Sequence, residues 1–216
     1  MPLCVYIACK IGAMETGNAK RWAFINLVAF AAVIAINALA VLLPINGMDT
    51  GRISGLYPNL FVPAGFTFSI WSVIYLLLLS FCIYALVVPS PVTRSIAPLF
   101  FFSCLLNISW ILLWHYLQIG FSVLVMLAFL VTLVLITEKI RRSSAGFSTL
   151  QKLAIGVPFS VYLGWISVAT VANITAFLVH IRWDGFGLDP ALWSVVMIIT
   201  ATLLGIFFLF SRQNLA

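Results

Sequence analysis

The sequence predicts an all-α fold: a polytopic membrane helix bundle. Three observations lead there. Of the 216 residues, 64% are hydrophobic and 7% are charged, against about a quarter charged in an ordinary soluble domain. The apolar residues lie in continuous runs and do not alternate, which is the pattern of membrane helices and not of a barrel. Lys and Arg gather at the ends of those runs. In hydrocarbon every backbone amide has to be paired inside its own segment or in a closed barrel, so continuous apolar runs mean helices.

Residues 1–13, MPLCVYIACKIGA, hold an apolar stretch too short to span and lack the basic start and small-residue cleavage site of a secretory signal. Met14 reads as the true start, 1–13 as an upstream extension without structural meaning, and 1–22 as a cytoplasmic N-terminal segment. Spans of about twenty residues are expected at 23–43, 65–88, 96–116, 120–138, 153–180 and 191–211. Pro44 and Gly47 close the first, Pro89 and Pro91 the second, and Gly120 follows the third. Asp189-Pro190 opens the sixth as an N-cap followed by proline in the first turn.

Orientation follows from the basic residues. Lys10, Lys20, Arg21, Arg94, Lys139, Arg141, Arg142, Lys152 and Arg212 fall on one side, Arg52 and Arg182 on the other, so both termini are expected in the cytoplasm of a multi-pass protein. The net charge of +6 is thus topogenic and does not point to nucleic acid. The absence of a transit peptide favours the cell membrane of a bacterium. Cys82 and Cys104 lie inside apolar runs, where no disulfide is expected, and no C-x2-C or H-x3-H spacing suggests a metal.

The loop 44–63, PINGMDTGRISGLYPNLFVP, carries Ile53, Leu56, Tyr57, Leu60 and Phe61 among its Gly and Pro, so it is expected to fold back over the helix ends as a lid. The basic loop 139–152 reads as an anchor near anionic headgroups. No charge sits at mid-helix, which argues against an ion-coupled pump. His115 and His180, at helix ends, are expected to be solvated and interfacial, and Trp114 to belong to the interfacial aromatic belt.

What the spans carry instead is uncharged polar groups and large aromatics: Asn37; Trp71 and Tyr75; Asn107, Ser109, Trp110 and Trp114; Tyr162, Trp165, Thr170 and Asn173. The asparagines need partners, and neighbouring helices would supply them. In the fifth span Trp165, Ala169, Asn173 and Phe177 repeat every four residues and form one stripe, which could line a cavity or pack a core. Gly156, Ser160 and Gly164 form a second stripe, small enough to admit another backbone.

The segment 161–173, VYLGWISVATVAN, resembles the PYLAWVSFATALN-type signature of the translocator protein family, also called tryptophan-rich sensory proteins (TspO/MBR). Tyr162, Leu163, Trp165, Ser167, Ala169, Thr170 and Asn173 match in register. The stretch 62–75, VPAGFTFSIWSVIY, is similar to the family's PPGWVFGPVWTLLY, keeping Pro63, Trp71 and Tyr75, and Asn107-Ile108-Ser109-Trp110 resembles its NLLW-type helix. Gly65 stands where the family has Trp, and Phe68-Ser69 where it has Gly-Pro, so an aromatic wall and a helix break are expected to be missing.

The resemblance covers 23–180, a TspO-like five-helix core, and makes 181–216 an extra C-terminal transmembrane helix with a short cytoplasmic tail. It implies an intramembrane ligand-binding pocket near Trp71, Asn107, Trp110, Tyr162, Trp165, Ala169 and Asn173, under the loop 44–63. It also implies homodimers and a porphyrin-like lipophilic ligand, with a tetrapyrrole as ligand and no cofactor. The expected function is a receptor or sensor for a flat lipophilic molecule; the alternative is a transporter of small lipophilic metabolites. An enzyme is not expected, since no acid–base pair or metal triad is visible.

Overall fold

The computed structural model describes the backbone of residues 3–43 and 45–210, and the side chains of 17–43, 45–203 and 205–206. Among the described residues the chain is helical and contains no strand. Helix α1 runs Leu3–Leu42 and is followed by the short α2, Thr50–Gly55. Then come α3, Ile70–Val87, α4, Pro91–His115, and α5, Ile119–Ser143. A single turn, α6 (Thr149–Gln151), continues through a π-helical turn at Lys152–Gly156 into α7, Val157–His180. Helix α8 is Pro190–Phe210.

Five stretches are long and apolar enough to cross a membrane: Gly17–Leu42, Gly65–Val87, Pro91–His115, Ile119–Gly146 and Thr149–His180. The described apolar part of α8 is Pro190–Leu203, within a helix of 21 residues, which at 1.5 Å per residue is about 31 Å long.

Several boundaries differ from expectation for local reasons. Helix α1 starts at Leu3 and not at 23, because residues 3–22 contain no proline and extending a nucleated helix costs little. Helix α4 starts five residues early, where Ser90 and Thr93 form a reciprocal capping box and Pro91 occupies the first turn, so this proline opens α4 as well as closing the turn after α3. Helix α5 outlasts 138 because Glu138 bridges to Arg141 and Arg142 one turn on. Asp189 caps α8 as expected, its Oδ1 accepting the Ala191 N–H at 2.7 Å.

The spans close into a ring in the order α1, α4, α5, α7, α3 and back to α1, with α8 packed outside against α7. The outward faces are apolar: Leu76 is 69% exposed, Leu124 62% and Leu203 59%, as lipid-facing side chains should be. Inside, Phe81, Phe100 and Phe159 interlock edge to face at 4.9–5.8 Å near the basic end of the bundle. Cys82 and Cys104 are buried and unpaired. The Gly156–Ser160–Gly164 stripe meets no neighbouring backbone: Gly164 is exposed, and a Cβ on either glycine would touch nothing.

Candidate functional site

The helix-spaced polar residues converge in the ring. Asn37 donates to Asn107 Oδ1 at 2.8 Å and to its own helix at Val33, and Asn107 donates to the Tyr162 hydroxyl at 3.2 Å, joining α1, α4 and α7. One turn higher, the Trp110 indole donates to Asn173 Oδ1 at 2.9 Å, and Asn173 donates to Ser122 Oγ at 2.9 Å, joining α4, α7 and α5. Each such bond contributes about 0.6 kcal/mol in a membrane protein, with a maximum near 1.7. Asn26 adds a further tie, to the Ala97 carbonyl at 3.1 Å.

The aromatic rings form a ladder toward the lid. Tyr75 stacks on Trp71 at 5.5 Å, Trp71 lies 6.0 Å from Trp110, and Trp110 stacks on Trp114 at 6.1 Å. Two of these steps are i, i+4 neighbours on one helix face. Tyr57 of the lid continues the ladder from Trp114 at 6.3 Å and ends it edge-on against His180 at 5.7 Å. Trp165 stands edge-on to Trp71 at 6.0 Å and to Phe68 at 6.3 Å. All seven residues singled out from the sequence, Trp71, Asn107, Trp110, Tyr162, Trp165, Ala169 and Asn173, lie in or directly against this cluster.

The lid is pinned by the end of α4. His115 is fully buried, with Nδ1 3.0 Å from the Ile45 carbonyl and Nε2 3.1 Å from Thr50 Oγ1. Since a carbonyl only accepts, Nδ1 carries a proton and donates it, while Nε2 shares a hydrogen bond with the threonine hydroxyl. Asn46, in the left-handed region at φ 57°, donates to the His115 carbonyl, and the Trp114 indole donates to the Thr50 carbonyl at 3.3 Å. Two expectations are thereby corrected. His115 is no solvated interfacial group, and Trp114, 4% exposed, is no belt residue; α2 folds over both and takes up their polar atoms. His180 is exposed as expected. Ile53 and Tyr57 are the lid's buried anchors, and burial raises the Tyr57 phenol above its ordinary pKa.

Two spaces adjoin the cluster. A void of about 30 Å³ is enclosed by Trp110, Trp114, Trp165, Phe68, Ala169 and Asn173, roughly the share of one liquid water. A groove of about 770 Å³ opens between α1 and α3 beneath α2, lined by Asn37, Trp71, Tyr75, Asp49 and Arg52 among others. Phe68 touches both spaces and separates them. It stands edge-on to Trp165, and Gly65–Ser69 forms a tight 3-10 turn before α3. Phe68 and His115 carry no sequence signal for the site, because loop geometry decides their place, whereas Tyr57 is legible as an apolar residue of the lid.

The Trp165 Nε1 hydrogen is buried without a partner. The buried Tyr75 hydroxyl lies near Asn107 without a well-formed hydrogen bond. An unpaired buried polar group costs about 1–3 kcal/mol, so both mark places where a ligand acceptor or a water would be gained. Among the described residues no group of three His, Cys, Asp or Glu side chains could hold a metal.

A closed ring of apolar helices around an aromatic and amide cluster, capped by a tethered loop, defines a polytopic membrane helix bundle. The sequence model of TSPO-like proteins matches residues 23–216, and the chain belongs to that family. The match extends through α8. No curated protein and no solved structure is significantly similar to the chain.

Proposed function

We propose that the chain is a membrane receptor or sensor that takes a flat lipophilic ligand, a tetrapyrrole first, into the aromatic cluster beneath the lid. The observation that carries this reading is the unpaired indole N–H of Trp165, a residue on the wall of a void whose lining also includes Phe68, Trp110, Trp114, Ala169, Asn173 and Ser54. A tetrapyrrole offers acceptor nitrogens and carboxylates to that hydrogen and broad π faces to Trp71, Trp110 and Trp165. Asn107, Tyr162 and Asn173 then act as polar contacts and Ala169 as clearance.

A void of about 30 Å³ admits no porphyrin, so the ligand has to displace Phe68 and join the void to the groove between α1 and α3. Access is then lateral, from the bilayer, with the lid still closed to water. The transporter reading draws on a different feature, the π-helical turn at Lys152–Gly156 just before Pro158, where α7 has an irregular ladder that a moving helix could use. Ligand flux in sealed proteoliposomes separates the two.

The same reading keeps 23–180 as the ligand-binding core and 181–216 as an added helix, has both termini on the cytoplasmic side of a cell membrane, and uses the Gly156–Ser160–Gly164 stripe, of which Gly164 is exposed, for a homodimer. The deciding experiment is tryptophan-fluorescence quenching of the detergent-purified protein by protoporphyrin IX. Wild type should quench saturably, and a folded Trp165→Phe, Asn173→Ala double variant should not. Equal, non-saturating quenching in both would mean that porphyrin only partitions into the micelle.

A further inference from the structure

A third space, of about 520 Å³, lies outside the helix ring at the lid end, between the lid segment 58–61, the last turns of α7 and the start of α8. Trp183 and Trp193 line it with their rings 4.8 Å apart and crossed at 61°, Phe61 of the lid contributes a third ring, and Leu178 and Met197 line its apolar part. Trp193 already donates its Nε1 hydrogen to the Gly185 carbonyl at 2.9 Å, so it offers the cavity π surface and no donor.

Asp184 is the only charged residue among those that line the space. Its Oδ1 accepts the Phe186 N–H at 3.0 Å, and among the described residues it enters no ion pair. Arg182, two residues away, is exposed and does not line the cavity. The connection that builds this corner runs through four left-handed residues, Arg182, Phe186, Gly185 and Gly187, which fold the chain back so that α8 returns against α7.

The lining therefore has a negative end, aromatic sides and an aliphatic part that follows two apolar helices: Met197 sits seven residues into α8, about 10 Å from its start. A carboxylate beside indole faces is the environment that stabilises a poorly hydrated cation, and a tail is held by the aliphatic part. We propose that this cavity binds an amphiphilic ammonium group, with the cation seated on the Trp183–Trp193 ring pair beside Asp184 and the chain along α7 and α8 toward Met197. The group can belong to a choline-type lipid headgroup or to a free alkylammonium molecule. This site is distinct from the aromatic cluster inside the ring and does not depend on what binds there.

The test is calorimetric titration of the full chain in dodecyl maltoside with hexyltrimethylammonium, with hexanol as the uncharged control. Wild type should bind one equivalent saturably and hexanol should not compete. Asp184→Asn keeps an acceptor for the Phe186 N–H but removes the charge, and it should weaken binding about tenfold. Trp183→Ala, checked for helical content by circular dichroism, should do so by a similar factor. Competition by added phosphatidylcholine, but not by phosphatidylglycerol, would assign the site to a lipid headgroup; competition by neither would assign it to a free ammonium compound. No saturable heat in wild type, unchanged affinity in Asp184→Asn, or equal competition by phosphatidylglycerol or hexanol would overturn the proposal.

Discussion

Asn107 ties three helices together, because its two amide ends reach α1 and α7 from α4. Replacing it by Ala removes both bonds and leaves the Asn37 amide and the Tyr162 hydroxyl to be satisfied elsewhere. The expected cost is about 1–2 kcal/mol, visible as a lowered midpoint in thermal unfolding of the detergent-solubilised protein; an unchanged midpoint would show that waters replace the amide. Ala169→Leu has a different signature. Its added volume would fill the void of about 30 Å³ beside Trp165, so porphyrin quenching should weaken while helical content stays constant. Gly185 is demanding in two ways: its φ is +65°, and a Cβ there would stand 3.0 Å from the Trp193 Nε1. Gly185→Ala should therefore shift the emission of Trp193 and loosen the start of α8 in hydrogen exchange.

At the scale of elements, the lid is a small helix held by the end of a long one. His115, Asn46 and Trp114 supply four hydrogen bonds between α4 and the segment 45–50. His115→Ala cuts two of them and opens a hole beneath α2. Amide exchange across 45–57 should rise by at least tenfold, while exchange in the interior of α4 stays as in wild type; uniform acceleration throughout α4 would mean that the histidine supports the bundle and not the lid. The spans themselves were legible from apolar runs and breakers, and the Asp189-Pro190 start of α8 from its residue types alone. The early start of α4 was legible too, in Ser90-Pro91-Val92-Thr93, but the paired prolines read first as a stop. The burial of Trp114 and His115 was not legible: both stand at a helix end, where lipid headgroups are the default surroundings, and only the fold-back of α2 places protein over them.

For the whole molecule, the ring closes without α8. Its order, α1, α4, α5, α7, α3, is not chain order, and α8 packs against it chiefly along α7. A chain ending after residue 181 should keep the melting behaviour and the internal tryptophan emission of the full protein, measured by circular dichroism and fluorescence in detergent, but lose the cavity at Trp183. Aggregation of that shorter chain would show that α8 covers a face the ring cannot leave to lipid. The seven candidate residues could be named in advance from the resemblance of 62–75, 107–110 and 161–173 to the family's motifs, helical spacing alone placing only Trp165, Ala169 and Asn173 on one face. The size of the space between them could not, since it depends on ring angles such as the 83° between Trp71 and Trp165.

The out-of-order ring also has a consequence in time. Asn37 is made 70 residues before its partner Asn107, so at a synthesis rate of about 5–20 residues per second it waits roughly 4–14 s before α4 exists. During that interval the amide has only the Val33 carbonyl of its own helix to bond. Biogenesis thus passes through a stage in which α1 carries an amide without its interhelical partner, which holds α1 ready for α4 and exposes it to any other membrane helix with a free acceptor. A chain with Leu in place of Asn37 would pass this stage without risk of such mispairing, and would arrive at a ring with one fewer reason to close in the right order.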